Sequence, residues 1–170
     1  NVDFAAWCSY KYMNSGPGNA SGCFVHEKHH QSNLPRFAGW WSQKKEKRLK
    51  MEPVLDPIES ADGWQISNLP ILSLAPYLAS VEMFAEVGME KLIKKRNQIT
   101  AYLEFILHEI DKEVDSTFEI ITPSNQEERA CQLSVFLHGE GRNLFDYLMS
   151  NGVITDWREP NVIRLAPVPL

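Results

Sequence analysis

The chain has 170 residues, 44% of them hydrophobic and 23% charged, the balance of a globular protein large enough to bury a sizeable core. Its 17 basic and 22 acidic residues give a net charge of −5, which argues against a general nucleic-acid binder. No apolar run is long enough to span a bilayer and no signal-peptide pattern opens the chain. Cys8, Cys23 and Cys131 are odd in number and set among apolar neighbours, so they are expected to be reduced, buried thiols in a cytosolic protein. The chain enters a core-like segment directly after Asn1 and stops at Leu170 just past another apolar run, which reads as the C-terminal portion of a longer protein.

The first element is an almost uncharged run from Val2 to Cys8, bounded downstream by Gly16, Pro17 and Gly18. It predicts a strand covered on both faces. Lys11 stands just past its carboxyl end, where open α/β sheets place their ligands. Desolvation there lowers the pKa of an ammonium group, and a neutral amine can attack a carbonyl to form a Schiff base. A solvated lysine opening a glycine loop is the plainer alternative. Gly22 to Val25 is short and β-prone and predicts a second strand. Glu27 to Lys50 is polar and irregular, with Gly39-Trp40-Trp41 inside it and a basic cluster from Lys44 to Lys50 that reads as a solvated face. Met51 to Gly63, with two prolines, should cross the surface as a loop.

From Pro70 the periodicity becomes helical. Ser67 or Asn68 is available as a cap, and Pro76 implies either a kink or a start near Ser73. Gly88 breaks the run. Met89, Leu92, Ile93, Ile99, Leu103, Ile106, Leu107 and Ile110 then mark one long amphipathic helix. Phe118 to Thr122 predicts a strand, and Cys131 to Leu137 alternates apolar with polar residues as a half-buried strand should. Asn143 to Met149 predicts a helix stopped at Asn151-Gly152. Val153-Ile154 and Val162 to Ala166 predict short strands on either side of a turn at Glu159-Pro160-Asn161. The alternation of strands and helices implies a small α/β sandwich beside the remnant of a larger sheet.

Two patterns bear on chemistry. His26-Glu27-Lys28-His29-His30 fits the H-E-x-x-H zinc pattern, which works only where a helix places both histidines on one face. Here it follows a strand and precedes Leu34-Pro35, so it reads as a chance match, although it leaves a zinc hydrolase using His26, Glu27 and His30 as a rival. Arg164 interrupts the apolar run from Val162 to Ala166. A buried guanidinium there is costly unless paired, and it can grip a carboxylate through two parallel hydrogen bonds. An arginine on the exposed face of an edge strand is the alternative. A non-catalytic α/β interaction domain is the third reading.

Phe4-Ala-Ala-Trp-Cys-Ser-Tyr-Lys-Tyr-Met-Asn-Ser-Gly resembles the cofactor-lysine segment of the kynureninase family, which uses pyridoxal 5'-phosphate (PLP) on the aspartate aminotransferase fold, fold type I. The resemblance continues in order through Gly39-Trp40, Ile66-Ser67-Asn68, Ile121-Thr-Pro-Ser, Glu128-Arg-Ala-Cys-Gln-Leu and Ile163-Arg-Leu-Ala-Pro-Val-Pro-Leu. It implies an α/β chain with the end of the large PLP-binding domain at residues 1–69, linking helices at 70–112 and the small C-terminal domain at 113–170. It also implies a cytoplasmic homodimer of the kynurenine pathway of tryptophan catabolism, leading to NAD. The reaction would be hydrolysis of L-kynurenine or its 3-hydroxy form to anthranilate or 3-hydroxyanthranilate and L-alanine.

By the same resemblance Lys11 forms the Schiff base and shuttles protons, and Tyr10 is a phosphate ligand. Trp40 and Asn68 help bind cofactor from the second subunit, with Asn68 also near substrate, and Arg164 holds the substrate carboxylate. An indole N–H and an amide are plausible uncharged donors to phosphate. A packed loop tryptophan, a helix cap and a core tyrosine are the plainer readings of Trp40, Asn68 and Tyr10. The family's remaining cofactor ligands lie upstream of the aligned region, so these 170 residues alone are expected to be inactive. Cysteine desulfurases and aminotransferases share the fold. Cys131, however, opens an alternating strand and reads as an inert core thiol rather than a loop nucleophile.

Overall fold

The computed structural model describes residues 2–114 and 117–170. The chain divides into two compact units, 1–86 and 87–170, each treated by itself.

In the first unit, β1 (Phe4–Trp7) pairs antiparallel with β2 (Gly22–Val25), with Phe4 opposite Val25 and Trp7 opposite Gly22. The expectation that β1 is covered on both faces is corrected: all four of its residues are exposed. Among the described residues the sheet has only these two strands, and although Phe4 meets the His29 and Trp64 rings at 4.8 and 5.2 Å, the side chains of β1 stay exposed. Two strands alone are marginal in water. Polar contacts fasten the ribbon instead. The buried hydroxyls of Ser9 and Ser15 lie 2.7 Å apart, and the Ser15 N–H donates to the Ser9 carbonyl at 3.2 Å.

α1 (Ile71–Val87) docks on the loop between the two strands. Its Ser80 hydroxyl donates to the Met13 carbonyl, its Tyr77 hydroxyl lies 3.5 Å from the Met13 sulfur, and the Asn19 amide donates to the Ser73 carbonyl. The helix starts at Ile71 rather than near Ser73 and runs through Pro76. A proline offers no N–H to the carbonyl four residues back. That residue, Leu72, is 91% exposed, so water can take the vacant acceptor. Two residues of the basic cluster are paired: Lys44 and Lys47 each reach an Asp56 carboxylate oxygen at 2.9 Å, which holds that carboxyl below its usual range.

The second unit has an apolar core. Gly88 breaks the helical run, and α2 (Met89–Asp111) follows with nearly the limits its periodicity predicts. β3 (Phe118–Ile120), β4 (Leu133–Leu137), β5 (Asp156–Arg158) and β6 (Val162–Leu165) form an antiparallel sheet in the order β3-β4-β6-β5. β4 alternates strictly, with Leu133, Val135 and Leu137 buried and Ser134 and Phe136 half-buried. Together with Ile163 and Leu107 these residues form the core, covered by Leu103 of α2 and by Phe145 and Leu148 of α3 (Gly141–Ser150). Helices pack on one face of the sheet, and the opposite face carries Ser134 and Arg164.

β3 ends at Ile120 instead of Thr122, β4 begins at Leu133 instead of Cys131, and a third strand is shifted outright. Val153-Ile154 is not a strand; β5 begins at Asp156. The end of α3 explains the shift: Gly152 adopts φ 80°, its N–H donates to the Met149 carbonyl at 3.2 Å, and the Val153 N–H donates to the Leu148 carbonyl at 2.9 Å. This double bond is a Schellman cap, which consumes Val153 before a strand can start.

An ion pair ties α2 to the loop before β4. Arg129 grips both carboxylate oxygens of Glu104, at 2.9 and 2.5 Å, and also donates to the Pro123 carbonyl. The Arg129 side chain is 3% exposed, and its guanidinium holds the Glu104 carboxyl below the ordinary glutamate range. Removing one partner of such a pair strands the other, so Arg129→Ala should destabilise this unit by roughly 3–5 kcal/mol. A lowered carboxyl pKa adds stability above the unfolded-state pKa, and that stability is lost as pH falls through the folded-state value. Urea unfolding across the acid range should therefore show a shallower loss of stability below the ordinary glutamate pKa in Arg129→Ala than in the parent chain.

Candidate functional site

Lys11 follows β1 in a tight turn closed by the Asn14 N–H, which donates to the Lys11 carbonyl at 3.0 Å. Its amine lies 5.5 Å from the centre of the Tyr10 ring, and both residues are exposed. The expectation of a desolvated lysine is corrected for these residues. It stands in water because the strand leading to it has no covering layer here. Tyr10 is likewise not a core tyrosine. Its ring lies against the Lys11 ammonium, and the residue is exposed.

Trp40 and Asn68 are 28 residues apart in sequence, yet their segments adjoin. Gly39 lies so close to the Ile66 backbone that a Cβ there would fall 2.1 Å from the Ile66 carbonyl oxygen. The Trp41 N–H also donates to that carbonyl, at 3.4 Å. The Trp40 ring meets Trp41 edge-on at 5.2 Å and lines an open cleft of about 250 Å³ with Lys47, Arg48 and Val54. Asn68 is exposed and stands outside α1. Its Oδ1 accepts from the Ser67 hydroxyl at 3.3 Å, so it does not serve as the expected helix cap. Any side chain at position 39 must push the two segments apart. Gly39→Ala should therefore lower the chain's thermal midpoint by several degrees, from a strain of about 1–3 kcal/mol measured by calorimetry.

Arg164 belongs to the second unit. It lies on β6, an interior strand, so the edge-strand alternative is corrected. It stands between Ser134 of β4 and Asp156 of β5, its direct cross-strand partners. Its Nε–H donates to Asp156 Oδ2 at 2.5 Å, and Nη2 donates to the same oxygen. Arg158 reaches the other oxygen of that carboxylate at 3.2 Å. Asp156 is not legible as a site residue from sequence, because the strand expected from Val153 begins three residues later.

The zinc pattern does not form a helix. Glu27–His29 is a single 3₁₀ turn, and each histidine has another partner: His26 Nδ1 takes the Lys28 N–H, His29 lies 2.7 Å from Asp3, and His30 lies 3.2 Å from the Val25 carbonyl. The cysteines are all free, but only Cys131 is buried. Cys23 is exposed and Cys8 is intermediate, which corrects the expectation of three buried thiols. Burial raises the Cys131 pKa, as an inert thiol requires. Thiol-reagent labelling with peptide mapping should modify Cys23 first and Cys131 only on unfolding.

Comparison with solved structures defines the class. Two structures of C-DES match 99% and 100% of this chain and 42% and 43% of theirs, each with a TM-score of 0.72 and 16% identity. One carries glycine covalently linked to its PLP cofactor; the other is a complex of this cystine C–S lyase with its product cysteine persulfide. The likeness shows the fold, the α/β fold type I of PLP enzymes. By sequence, residues 92–170 match the kynureninase C-terminal domain. The chain is 87% identical to the kynureninase of Flavobacterium psychrophilum and 83% identical to that of Flavobacterium johnsoniae, over 100% of its own length. It is 52% identical, over 99% of its length, to that of Xanthomonas campestris. The chain spans 40% of the length of these relatives.

Proposed function

We propose that this chain works as part of a kynureninase, hydrolysing L-kynurenine or its 3-hydroxy form to anthranilate or 3-hydroxyanthranilate and L-alanine. The observation that carries this reading is 87% identity to a kynureninase along the whole chain, with every candidate residue inside the matched span.

The chemistry of the residues fits PLP. Lys11 offers an exposed primary amine to an aldehyde. The Tyr10 hydroxyl, Trp40 indole and Asn68 amide are uncharged donors for a phosphate. When bound, PLP would supply an electron-withdrawing ring that acidifies the substrate's α-carbon and accommodates the electron pair left at the β-carbon, so that water added at the γ-carbonyl can break the Cβ–Cγ bond. Lys11 would hold the cofactor through its amine and, when released, move protons between substrate atoms. Tyr10, Trp40 and Asn68 would bind its phosphate, and Arg164 would orient the substrate by its α-carboxylate. In this reading the working assembly is a cytoplasmic homodimer in which Trp40 and Asn68 serve the second subunit's cofactor. The reaction belongs to tryptophan breakdown toward NAD.

Borohydride reduction of the full-length, PLP-loaded protein should fix the cofactor to one peptide, the one containing Lys11, and Lys11→Ala should lose both that label and kynurenine turnover. A label on another lysine, or turnover that survives the substitution, would overturn the assignment.

A further inference from the structure

Asp156 occupies one edge of the Arg164 guanidinium and leaves the other free. A guanidinium carries five N–H donors in a rigid plane. Asp156 Oδ2 takes the Nε–H and one from Nη2. Among the described residues the remaining three, two on Nη1 and one on Nη2, meet no acceptor. They form the terminal edge of the fork, which matches a carboxylate bidentately. Charge points the same way. The Asp156 carboxylate is shared by Arg164 and Arg158, so the cluster keeps one uncompensated positive charge on a half-buried face of the sheet.

We propose that Asp156 is a positioning residue for substrate binding: by clamping the Nε edge of Arg164 it fixes the plane of the guanidinium and presents only the terminal edge to the substrate's α-carboxylate. The inference rests on the kynureninase reading for the identity of that substrate. The strand register makes the clamp local. Asp156 and Arg164 are directly paired across β5 and β6, so neither backbone need move for the side chains to meet. Without the carboxylate, the guanidinium would sample several rotamers, and ordering it would fall to the incoming substrate.

The test uses the full-length PLP-loaded protein. Asp156→Ala should raise KM for kynurenine about tenfold, the loss of roughly one charge-assisted hydrogen bond, with kcat changed less than about threefold. Asp156→Asn, nearly the same shape, should raise KM by less, and Asp156→Glu should restore part of the loss. In an Arg164→Ala background, Asp156→Ala should add no further rise in KM, an outcome that general damage to the fold would not produce. Inhibition by the decarboxylated amine of kynurenine should be indifferent to Asp156→Ala, because it offers nothing to the guanidinium.

An unchanged KM in Asp156→Ala and Asp156→Asn, or equal effects with and without Arg164, overturns the proposal. A lower KM overturns it too, by making Asp156 a competitor for the guanidinium instead of a clamp. If the parent protein itself fails to turn over kynurenine, it is the functional reading beneath the proposal that fails.

Discussion

The strict alternation of β4 is the constraint on which the second unit depends. Burying Leu133, Val135 and Leu137 on one face leaves Ser134 and Phe136 on the other, and β6 pairs in the single register that puts Ile163 opposite Val135. A slip of one residue would turn Ile163 outward and Arg164 into the core. The cost of burying an unpaired guanidinium forbids the slipped pairing as firmly as the loss of apolar burial does. Core packing and the exposure of Arg164 are therefore one fact. The same register carries Asp156 opposite Arg164 on β5, so the charge cluster follows from the hydrophobic pattern of its neighbours.

The first unit is organised on a different principle. Val25 is its one buried large apolar residue among those described, and the interior is otherwise serine, glutamine and backbone: Ser9, Ser15, Ser42, Gln43 and Ser80. Hydrogen bonds of this kind each contribute about 1 kcal/mol net, whereas fully burying a large apolar side chain contributes about 1.5–3 kcal/mol. Meanwhile Phe4, Trp7, Tyr10, Trp40 and Leu72 stand exposed. The environment of Lys11 follows from this. An amine at the end of an uncovered strand keeps its water, and the desolvation that would activate it requires a layer over β1.

The legible parts of the sequence were those governed by a single local rule. The helical period from Met89 to Ile110, the alternation from Leu133 to Leu137 and the Asn151-Gly152 stop each specify their element without help from distant residues. Misreadings arose where a second term competed. Val153-Ile154 has strand-like composition, but the Schellman cap claims Val153 first. β1 has the composition of a covered strand, yet composition records an affinity for cover and not its presence. Among the site residues, Arg164 stood out because a charge inside an apolar run is conspicuous. Asp156 did not, because its meaning lies wholly in what stands across from it. Likewise no rule of spacing joins Trp40 to Asn68; only the close approach of Gly39 to Ile66 does.

The most direct measurement is a crystal structure of the full-length protein with PLP and a non-reactive kynurenine analogue that retains the α-carboxylate. The account predicts that carboxylate on the Nη1–Nη2 edge of Arg164, with Nε still bound to Asp156 and the Lys11 amine at the cofactor's aldehyde carbon. An analogue carboxylate held by another cation, with Arg164 turned away from it, would contradict the account.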